Sequence, residues 1–218
     1  MAKRARVLRN TQAGNHAQAL RNHLVQVTQR LLAAHGLTGL TTRLIAKEAE
    51  VSDGVLYNHF TDKDELVITA LSDRITDLVR RHLDNCPEPG EQDLRSGLAR
   101  LARLSLQFQT ETLPLVSALL SRPELIHQLL EHLHANEPGP HLLWRRIICY
   151  IEAEQQLGTV AADVDPLTVV QVLFGVQHLA VLFDVLGNHP HNTPPGVIPD
   201  EERLVAFLTR ACAATQRP

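Results

Sequence analysis

TTRLIAKEAEVSDGVLYNHFTDK, residues 41–63, carries the strongest structural signal in the sequence. Its first half predicts a short helix whose N-terminus Thr41 can cap through its hydroxyl. Ser52 can cap a second helix, in which Leu56 and Phe60 are four residues apart and therefore share one inward face. Two short helices joined by a tight turn, the second with small and hydrogen-bonding side chains near its start, are typical of a helix-turn-helix that reads DNA.

The same stretch resembles the N-terminal domain of the TetR family of transcriptional regulators. That family's pattern is roughly a long first helix, a glycine, a Thr/Ser pair, I-A, V-S-x-G-x-L-Y-x-H-F, then K and a charged residue. The matching residues are Gly36, Thr41, Ile45, Ala46, Val51, Ser52, Gly54, Leu56, Tyr57, His59, Phe60 and Lys63. The resemblance covers about the first third of the chain. It implies an all-α protein, with an N-terminal three-helix domain that contains the helix-turn-helix and a larger helical C-terminal domain for ligand binding and dimerisation.

The resemblance also implies which side chains meet DNA. The residues that would contact phosphates or an adjacent base edge, at the start of the first short helix, are Thr41, Thr42 and Arg43. The residues that would bind phosphates and so fix the register of the protein on the DNA are Tyr57, His59 and Lys63. Those that would face base edges are Asp53, Val55 and Asn58, and Gly54 would let the backbone approach the groove. Asparagine suits adenine, a valine methyl suits thymine, and a carboxylate can accept from cytosine N4.

Two residues depart from the family's pattern. Glu50 stands where the family usually has glycine before V-S, and a left-handed backbone there would cost a non-glycine residue about 1 kcal/mol. Asp53 stands where a basic or neutral residue is commoner. An alternative role for Asp53 is to stabilise the first turn through the helix dipole rather than to read a base.

Charge is distributed unevenly along an otherwise ordinary globular composition, which is 44% hydrophobic and 21% charged. Residues 1–63 contain nine Lys or Arg and four Asp or Glu, a net charge of +5, whereas residues 64–218 contain twelve and twenty, a net charge of −8. A basic front on an acidic body is typical of a phosphate-binding module joined to a regulatory body. We predict a flexible basic arm (1–15), a helix-turn-helix DNA-binding domain (16–63) and a helical regulatory and dimerisation domain (64–218).

Three widely spaced cysteines argue against a disulfide framework and for a reducing compartment. They are Cys86, Cys149 and Cys212. No apolar segment of the signal-peptide kind follows the basic N-terminus. The most apolar segment, 167–183, is interrupted by polar residues, and we interpret it as a buried helix too short and too polar for a membrane span. The sequence therefore predicts a cytoplasmic protein with no membrane partner.

Helical periodicity recurs along the whole chain, and strand signals are almost absent. The first helix is predicted from about Ala17 to Ala34, with Gly36 ending it. Its apolar stripe comprises Leu20, Leu24, Val27 and Leu31. Thr61 and Asp64 predict a capping box for the fourth helix. Pro114 is predicted to begin a short helix of its own.

Two apolar helices are predicted near the C-terminus, over 166–186 and 199–214, with a proline-rich loop over 188–199. In the family that the chain resembles, the last two long helices of each subunit pair across a two-fold axis as a four-helix bundle. The resemblance thus implies a homodimer through the last two helices, and a helix-turn-helix also needs a dimer to read two half-sites of a palindromic operator in double-stranded DNA. The alternative is that both helices are the core of one subunit.

A small-molecule pocket is implied by the resemblance, because the middle helices of this family usually enclose one. The candidate lining residues combine an apolar surface with a few polar groups. They are Leu104, Phe108, Leu115, Trp144, Ile148, Phe174, Gln177 and His178. Each is also compatible with plain core, and the set does not name the effector.

His127, Glu131 and His134 are spaced i, i+4 and i+7 on one helical face, a spacing related to that of carboxylate-bridged metal sites. Such a site needs a second pair of this kind, which the sequence lacks, so we predict neither a metal nor a cofactor. No catalytic motif is present either, so no enzyme is predicted. The sequence predicts a repressor that binds its operator as a homodimer and is released by a small molecule. The alternatives are a regulator without a ligand and a helical metal- or small-molecule-binding protein.

Overall fold

Every regular element of the computed structural model is a helix, within the residues that the structure describes: 2–135, 139–185 and 200–214. The helices are α1 (Ala2–His35), α2 (Thr42–Glu48), α3 (Asp53–Tyr57), α4 (Lys63–Leu83), α5 (Leu94–Ser117), α6 (Pro123–Ala135), α7 (His141–Gln156), α8 (Pro166–Val185) and α9 (Glu201–Cys212). An isolated β-bridge joins Val160 to Ala213, and these ranges contain no strand. The predicted all-α fold is confirmed.

The chain forms two compact units. The first comprises Met1–Arg74 and Ala118–Ala135, and the second comprises Ile75–Ser117 and Asn136–Pro218. The division falls inside α4, so this helix contributes to both units, and α6 belongs to the same unit as the helix-turn-helix. The predicted boundary at residue 63 separates a DNA-binding domain from a regulatory domain, and it stays a prediction.

The first unit is built on a core that α1, α2 and α3 share. Leu24 and Leu31 of the predicted apolar stripe are buried in α1. Leu56 and Phe60 are buried as predicted, and α2 packs on both α1 and α3. The guanidinium carbon of Arg21 lies 4.5 Å from the centre of the Phe60 ring, so a cation–π contact adds to the apolar packing of α1.

Two helix caps in the first unit show how local polar groups set the helix starts. Thr41 Oγ1 accepts a hydrogen bond from the third backbone N–H of α2 at 3.1 Å, as predicted. For α4 the predicted pair of Thr61 and Asp64 was wrong. Asp62 Oδ1 accepts from the backbone N–H of Glu65 at 2.8 Å, and Glu65 Oε2 accepts from the backbone N–H of Thr61 at 2.7 Å. The capping box is therefore formed by Asp62 and Glu65. The short Asp62 side chain caps the helix, and the longer Glu65 side chain reaches back to the backbone N–H of Thr61.

α1 begins at Ala2, so its predicted start at about Ala17 was wrong. The apolar stripe that set the predicted start begins only at Leu20. Upstream of it, the sequence is rich in Ala and Arg, which extend a helix readily without a packed face. The flexibility of the basic arm over 1–15 stays a prediction.

α5 runs without interruption through Pro114 to Ser117, so the prediction of a new helix at Pro114 was wrong. Proline lacks an N–H and cannot bond to the carbonyl oxygen of Thr110. Only one backbone bond is lost in this way, close to the end of a helix that packs along α8 and α9. The packing outweighs the lost bond, and α5 stays continuous.

The second unit surrounds α5, which packs against α8 and α9, while α7 also packs against α8. α8 starts at Pro166, as predicted, and Asp165 Oδ2 caps it by accepting from the backbone N–H of Thr168 at 3.0 Å. A second bond from the Thr168 hydroxyl lowers the pKa of the Asp165 carboxyl. Asp200 caps α9 in the same way, at 2.8 Å from the Arg203 N–H. The loop predicted over 188–199 lies outside the described residues.

Glu50 has a φ of +55°, the left-handed backbone expected at this position. We expect Glu50→Gly to raise the free energy of unfolding by about 0.5–1 kcal/mol, because glycine adopts this conformation without the steric cost. Thermal unfolding measures the change, and operator choice should stay the same. Gly36→Ala is the reverse control: Gly36 ends α1 with a φ of +65°, so alanine should cost about 1 kcal/mol. A lower melting temperature for Glu50→Gly would contradict this account.

Candidate nucleic-acid interface and effector cavity

The outer face of α3 carries most of the side chains predicted to read DNA. A helix of five residues is not stable alone, and α3 is held in place through Leu56 and through Phe60 just after it. Ser52 occupies the N-cap position, but its hydroxyl makes no capping bond, so that part of the prediction was wrong. The outward residues are exposed at Asp53, Gly54, Tyr57 and Asn58, and half-buried at Val55 and His59. Tyr57, at 55% exposed, is the large apolar group of this face.

The start of α2 brings the remaining predicted contacts together. Thr41 and Arg43 are exposed there, and Thr42 is half-buried. Lys63 Nζ donates a hydrogen bond to the carbonyl oxygen of Leu40 at 3.2 Å, which holds the ammonium beside the start of α2. One such bond leaves two of the three ammonium protons for another acceptor. All ten predicted DNA contacts are thus exposed or half-buried, and their individual roles stay predictions.

In the second unit, a cavity of about 380 Å³ opens among α5, α7 and α8. Four of the eight residues predicted for a pocket lie around it: Phe108, Trp144, Phe174 and His178. The half-buried Leu104, Leu115 and Ile148 do not line it. Gln177 is buried, and its Nε2 donates to the carbonyl oxygen of Ala102 at 2.7 Å, so it fastens α8 to α5 instead. The binding role of the set stays a prediction.

Six further residues line the cavity and were missed by the sequence analysis: Gln109, Thr112, Leu113, Val116, Pro140 and His141. Four of them lie on α5 near or beyond the predicted break at Pro114. Once α5 is taken as continuous, Phe108, Thr112 and Val116 fall four residues apart on one face. The missing signal was therefore the continuity of the helix and not the character of the side chains.

The aromatic side chains of the cavity are packed in defined orientations. The Trp144 and Phe174 rings have their centres 5.4 Å apart and are tilted by 53°. Phe108 meets the ring of His82 edge to face, with centres 5.5 Å apart. His82 is buried in the last turn of α4, where its Nδ1 lies 2.7 Å from the carbonyl oxygen of Leu78. Phe108, in the wall of the cavity, therefore contacts α4, the helix that follows the helix-turn-helix in the chain.

Residues 24–70 match the family model of bacterial regulatory proteins of the tetR family. These residues form a tetR-type DNA-binding domain, and the matches support a TetR-family transcriptional regulator. The chain is 27% identical over 154 residues to the HTH-type transcriptional repressor KstR2 of Rhodococcus jostii strain RHA1, an alignment covering 66% of this chain and 70% of KstR2. TetR-family regulators bind DNA through the helix-turn-helix, so the predicted family and DNA-binding function are confirmed. The family is one of regulators and not of enzymes.

Solved structures share the fold of this chain. The reduced form of Escherichia coli NemR aligns with a TM-score of 0.64 at 18% identity, covering 91% of this chain and all of NemR (100%). The Bacillus subtilis regulator FadR in complex with stearoyl-CoA aligns with a TM-score of 0.57 at 16% identity, covering 86% of this chain and 96% of FadR. At these identities the likeness establishes the fold alone.

α8 and α9 share an exposed apolar surface. An open groove of about 540 Å³ lies between them, lined by Val172, Val176, Arg203, Leu204, Ala206, Phe207 and Arg210. The most apolar 18 residues of α8 have a mean hydropathy of 1.7 and only 33% of them are buried. By length and composition alone α8 could span a membrane, contrary to the argument from its polar residues. Its packing against α5 and α7 is equally that of a core helix with one side uncovered.

Two histidines on one face of α6 lie within hydrogen-bonding distance of backbone carbonyl oxygens of the same helix. His127 Nδ1 lies 2.9 Å from the carbonyl oxygen of Pro123, and His134 Nδ1 lies 2.6 Å from that of Leu130. Within the described part of the chain, no group of three or more His, Cys, Asp or Glu side chains is placed to hold a metal ion.

Burial raises the pKa of the Cys86 thiol and of the Cys212 thiol. Both sulfurs are therefore held protonated, the form that reacts poorly. Cys149, in contrast, is exposed on α7.

Proposed function

We propose that this regulator is a repressor that binds a palindromic operator as a homodimer and is released when a small molecule enters the cavity. The observation that carries the proposal is the outer face of α3, where Tyr57 and Asn58 are exposed beside the buried Leu56. A buried inner face fixes the helix, and the outer face is free to enter a major groove. A regulator of bacterial DNA works in the cytoplasm, where that DNA lies.

In this proposal the contacts divide into those that position the protein and those that read sequence. Thr41, Thr42 and Arg43 at the start of α2 meet the DNA backbone. Lys63 lies beside them, and its bond to the Leu40 carbonyl oxygen sets where its ammonium can meet a phosphate. His59, just after α3, also holds a phosphate. The remaining predicted contacts divide in turn: Tyr57 holds a phosphate, Asn58, Val55 and Asp53 face base edges, and Gly54 lets the backbone come close. This division predicts that base-facing variants change operator choice, whereas phosphate-facing variants weaken all sites.

Dimerisation is supported by the exposed surface of α8 and α9. Phe207 is 52% exposed and lines the groove with Val172 and Val176, and an exposed apolar patch of this kind is typical of an interface. Two reading units also fit two half-sites related by two-fold symmetry, one DNA turn apart. The second copy would cover the side of α8 that the subunit leaves open.

Release by an effector is supported by the link between the cavity and α4. A ligand that moves Phe108 acts on His82 in the last turn of α4, the helix that begins at Lys63 beside the reading unit. To release DNA, the ligand must bind the DNA-incompetent arrangement more tightly than the competent one. The complex of FadR with stearoyl-CoA is a precedent for a ligand-bound regulator of this fold.

Binding-site selection from a random DNA pool tests the proposed function. The wild type should enrich one palindromic sequence, and its affinity should fall steeply as salt rises because counterions are released at the phosphates. Tyr57→Ala combined with His59→Ala should enrich nothing, while circular dichroism shows the fold unchanged. Equal enrichment by the wild type and the double variant would refute the role of α3.

Asp53 offers a test of how closely α3 approaches the DNA. The carboxylate is exposed in the first turn of α3, so it repels any nearby phosphate. Asp53→Ala should tighten binding to random DNA by about two- to fivefold, the scale of one screened charge contact. Asp84→Ala, at the exposed end of α4, makes the same change in net charge and should leave the affinity unchanged. Fluorescence anisotropy at one salt concentration compares them; equal affinities for wild type and Asp53→Ala would place the groove far from this residue.

A further inference from the structure

We infer that the cavity takes an uncharged ring compound that donates a hydrogen bond from a hydroxyl or N–H group. The inference rests on the proposed function only in treating the cavity as the effector site. It follows from three properties of the lining: its lack of charge, its aromatic surface, and the protonation of its polar groups.

The lining disfavours a charged ligand. Among the described residues it contains no Asp, Glu, Lys or Arg. Its polar members are Gln109, Thr112, His141 and His178. An ionised carboxylate or ammonium that left water for this surface would lose its hydration without gaining a counter-ion, which costs far more than the transfer of a neutral molecule.

The aromatic surface favours a flat molecule. Trp144 is 44% exposed beside the cavity and lies against Phe174, so a ligand can reach the indole face. Phe108 is fixed from behind by the edge-to-face contact with His82. Rings gain most from offset or edge-to-face contact with other rings, which these side chains offer from all three helices that form the cavity.

Two polar groups of the cavity, on His178 and Thr112, act as acceptors. Gln109 Nε2 donates to Ser105 Oγ at 3.2 Å, and Gln109 Oε1 lies 3.2 Å from His178 Nδ1. An amide oxygen only accepts, so Nδ1 of His178 carries the proton, and in the neutral imidazole Nε2 is then an acceptor. Thr112 Oγ1 donates its only proton to the carbonyl oxygen of Phe108 at 2.7 Å, and so it too can only accept from a ligand.

Gln109 is only 4% exposed, so most ligands cannot reach its amide group. The amide holds His178 in place instead. A ligand that pairs with His178 and Thr112 must therefore bring the donor. An alcohol or phenol meets the requirement, whereas an ether or ketone of the same shape leaves the acceptors unpaired. Leaving a buried acceptor unpaired is costly, which makes the preference a strong one.

Three probes with the same two rings separate these properties: 4-phenylphenol, its methyl ether 4-methoxybiphenyl, and biphenyl-4-carboxylate. Each is titrated into the full-length protein by calorimetry and by fluorescence, since Trp144 is the only tryptophan of the chain and its emission reports this cavity. We expect the phenol to bind about 10-fold tighter than the ether, the scale of one hydrogen bond. The carboxylate should bind at least about 100-fold more weakly than the phenol.

Two variants assign the preference to the named acceptors. His178→Leu and Thr112→Val each remove one acceptor and keep a similar volume, so each should lower the ratio of phenol to ether affinity and leave ether binding nearly unchanged. His127→Leu, on α6 in the other unit, is the matched control and should keep the wild-type ratio. Carboxylate binding as tight as phenol binding, a full preference retained in both acceptor variants, or no binding of any probe would each overturn the inference.

Operator binding, measured in the same samples, separates this inference from the proposed function. If no probe binds while the operator is still bound, the ligand class is wrong and the DNA-binding function stands. If the phenol binds with the expected preferences but saturating phenol leaves operator affinity unchanged, the ligand class stands and release through this cavity is wrong.

Discussion

Replacing Phe207 with glutamate is expected to convert the protein to a monomer and to weaken binding to the palindromic operator by about 100-fold or more. Phe207 is 52% exposed on α9 and lines the groove with Val172 and Val176 of α8. A carboxylate there cannot be buried against a second copy without a large desolvation cost. Once the copies separate, one reading unit no longer holds the other at its half-site, and the gain from linked binding is lost. Light scattering measures the mass, and anisotropy measures the affinity.

Leu157→Glu is the matched control for the Phe207 variant. Leu157 follows α7 and is 58% exposed, so the substitution adds the same charge to an exposed apolar position outside the groove between α8 and α9. It should remain dimeric and bind the operator as the wild type does. A Phe207→Glu protein that is folded, dimeric and tight-binding would move the interface away from α8 and α9.

Gly97→Ala should destabilise the second unit by about 2–3 kcal/mol, the cost of forcing extra volume into a closely packed core. Gly97 is buried in α5, and a Cβ added there would lie 1.9 Å from Oη and 3.0 Å from Cζ of Tyr150. Tyr150 is 1% exposed, and burial raises the pKa of its hydroxyl, which therefore stays neutral. The ring has no solvent to move into, so the loss outweighs the gain of about 1 kcal/mol that alanine brings to a helix.

A second substitution shows whether the Tyr150 hydroxyl is the cause. Its oxygen has no hydrogen-bond partner among the described residues, so Tyr150→Phe alone should change stability little. Combined with Gly97→Ala, it should recover more than half of the lost free energy of unfolding. Gly54→Ala is the control for alanine in open space, since nothing lies within 4 Å of an added Cβ, and it should raise stability. Unfolding by urea measures all four proteins; additive losses in the double variant would contradict a direct clash.

The helix-turn-helix could be predicted from the sequence because its signals are local. Thr41 caps α2, Leu56 and Phe60 share an inward face, and Glu50 takes the left-handed conformation that the usual glycine implies. Each depends on residues within a few positions of one another. The cap of α4 was predicted at Thr61 and lies at Asp62. Both side chains can accept a hydrogen bond from a backbone N–H in the first turn, so the sequence alone does not distinguish them.

The cavity could be predicted only in part because it depends on packing between distant helices. Phe108, Trp144, Phe174 and His178 are marked by their size or polarity in apolar stretches. The lining residues Thr112 and Val116 become visible only when α5 continues through Pro114, and that continuity comes from its packing against α8 and α9. Gln177 has the same character as a pocket residue, yet its bond to the Ala102 carbonyl directs it to α5. Composition cannot separate these two outcomes.

The central claim is that two copies of α3 read a two-fold symmetric DNA site together. Its most direct test compares three duplexes: the selected palindrome, the same site with one half scrambled, and the same site with about five base pairs inserted at its centre, roughly half a turn of DNA. The account predicts that both altered duplexes bind about 100-fold more weakly, with a stoichiometry of one dimer on the palindrome. Equal affinity for the three duplexes would mean that each copy binds alone, and the dimeric reader would be wrong.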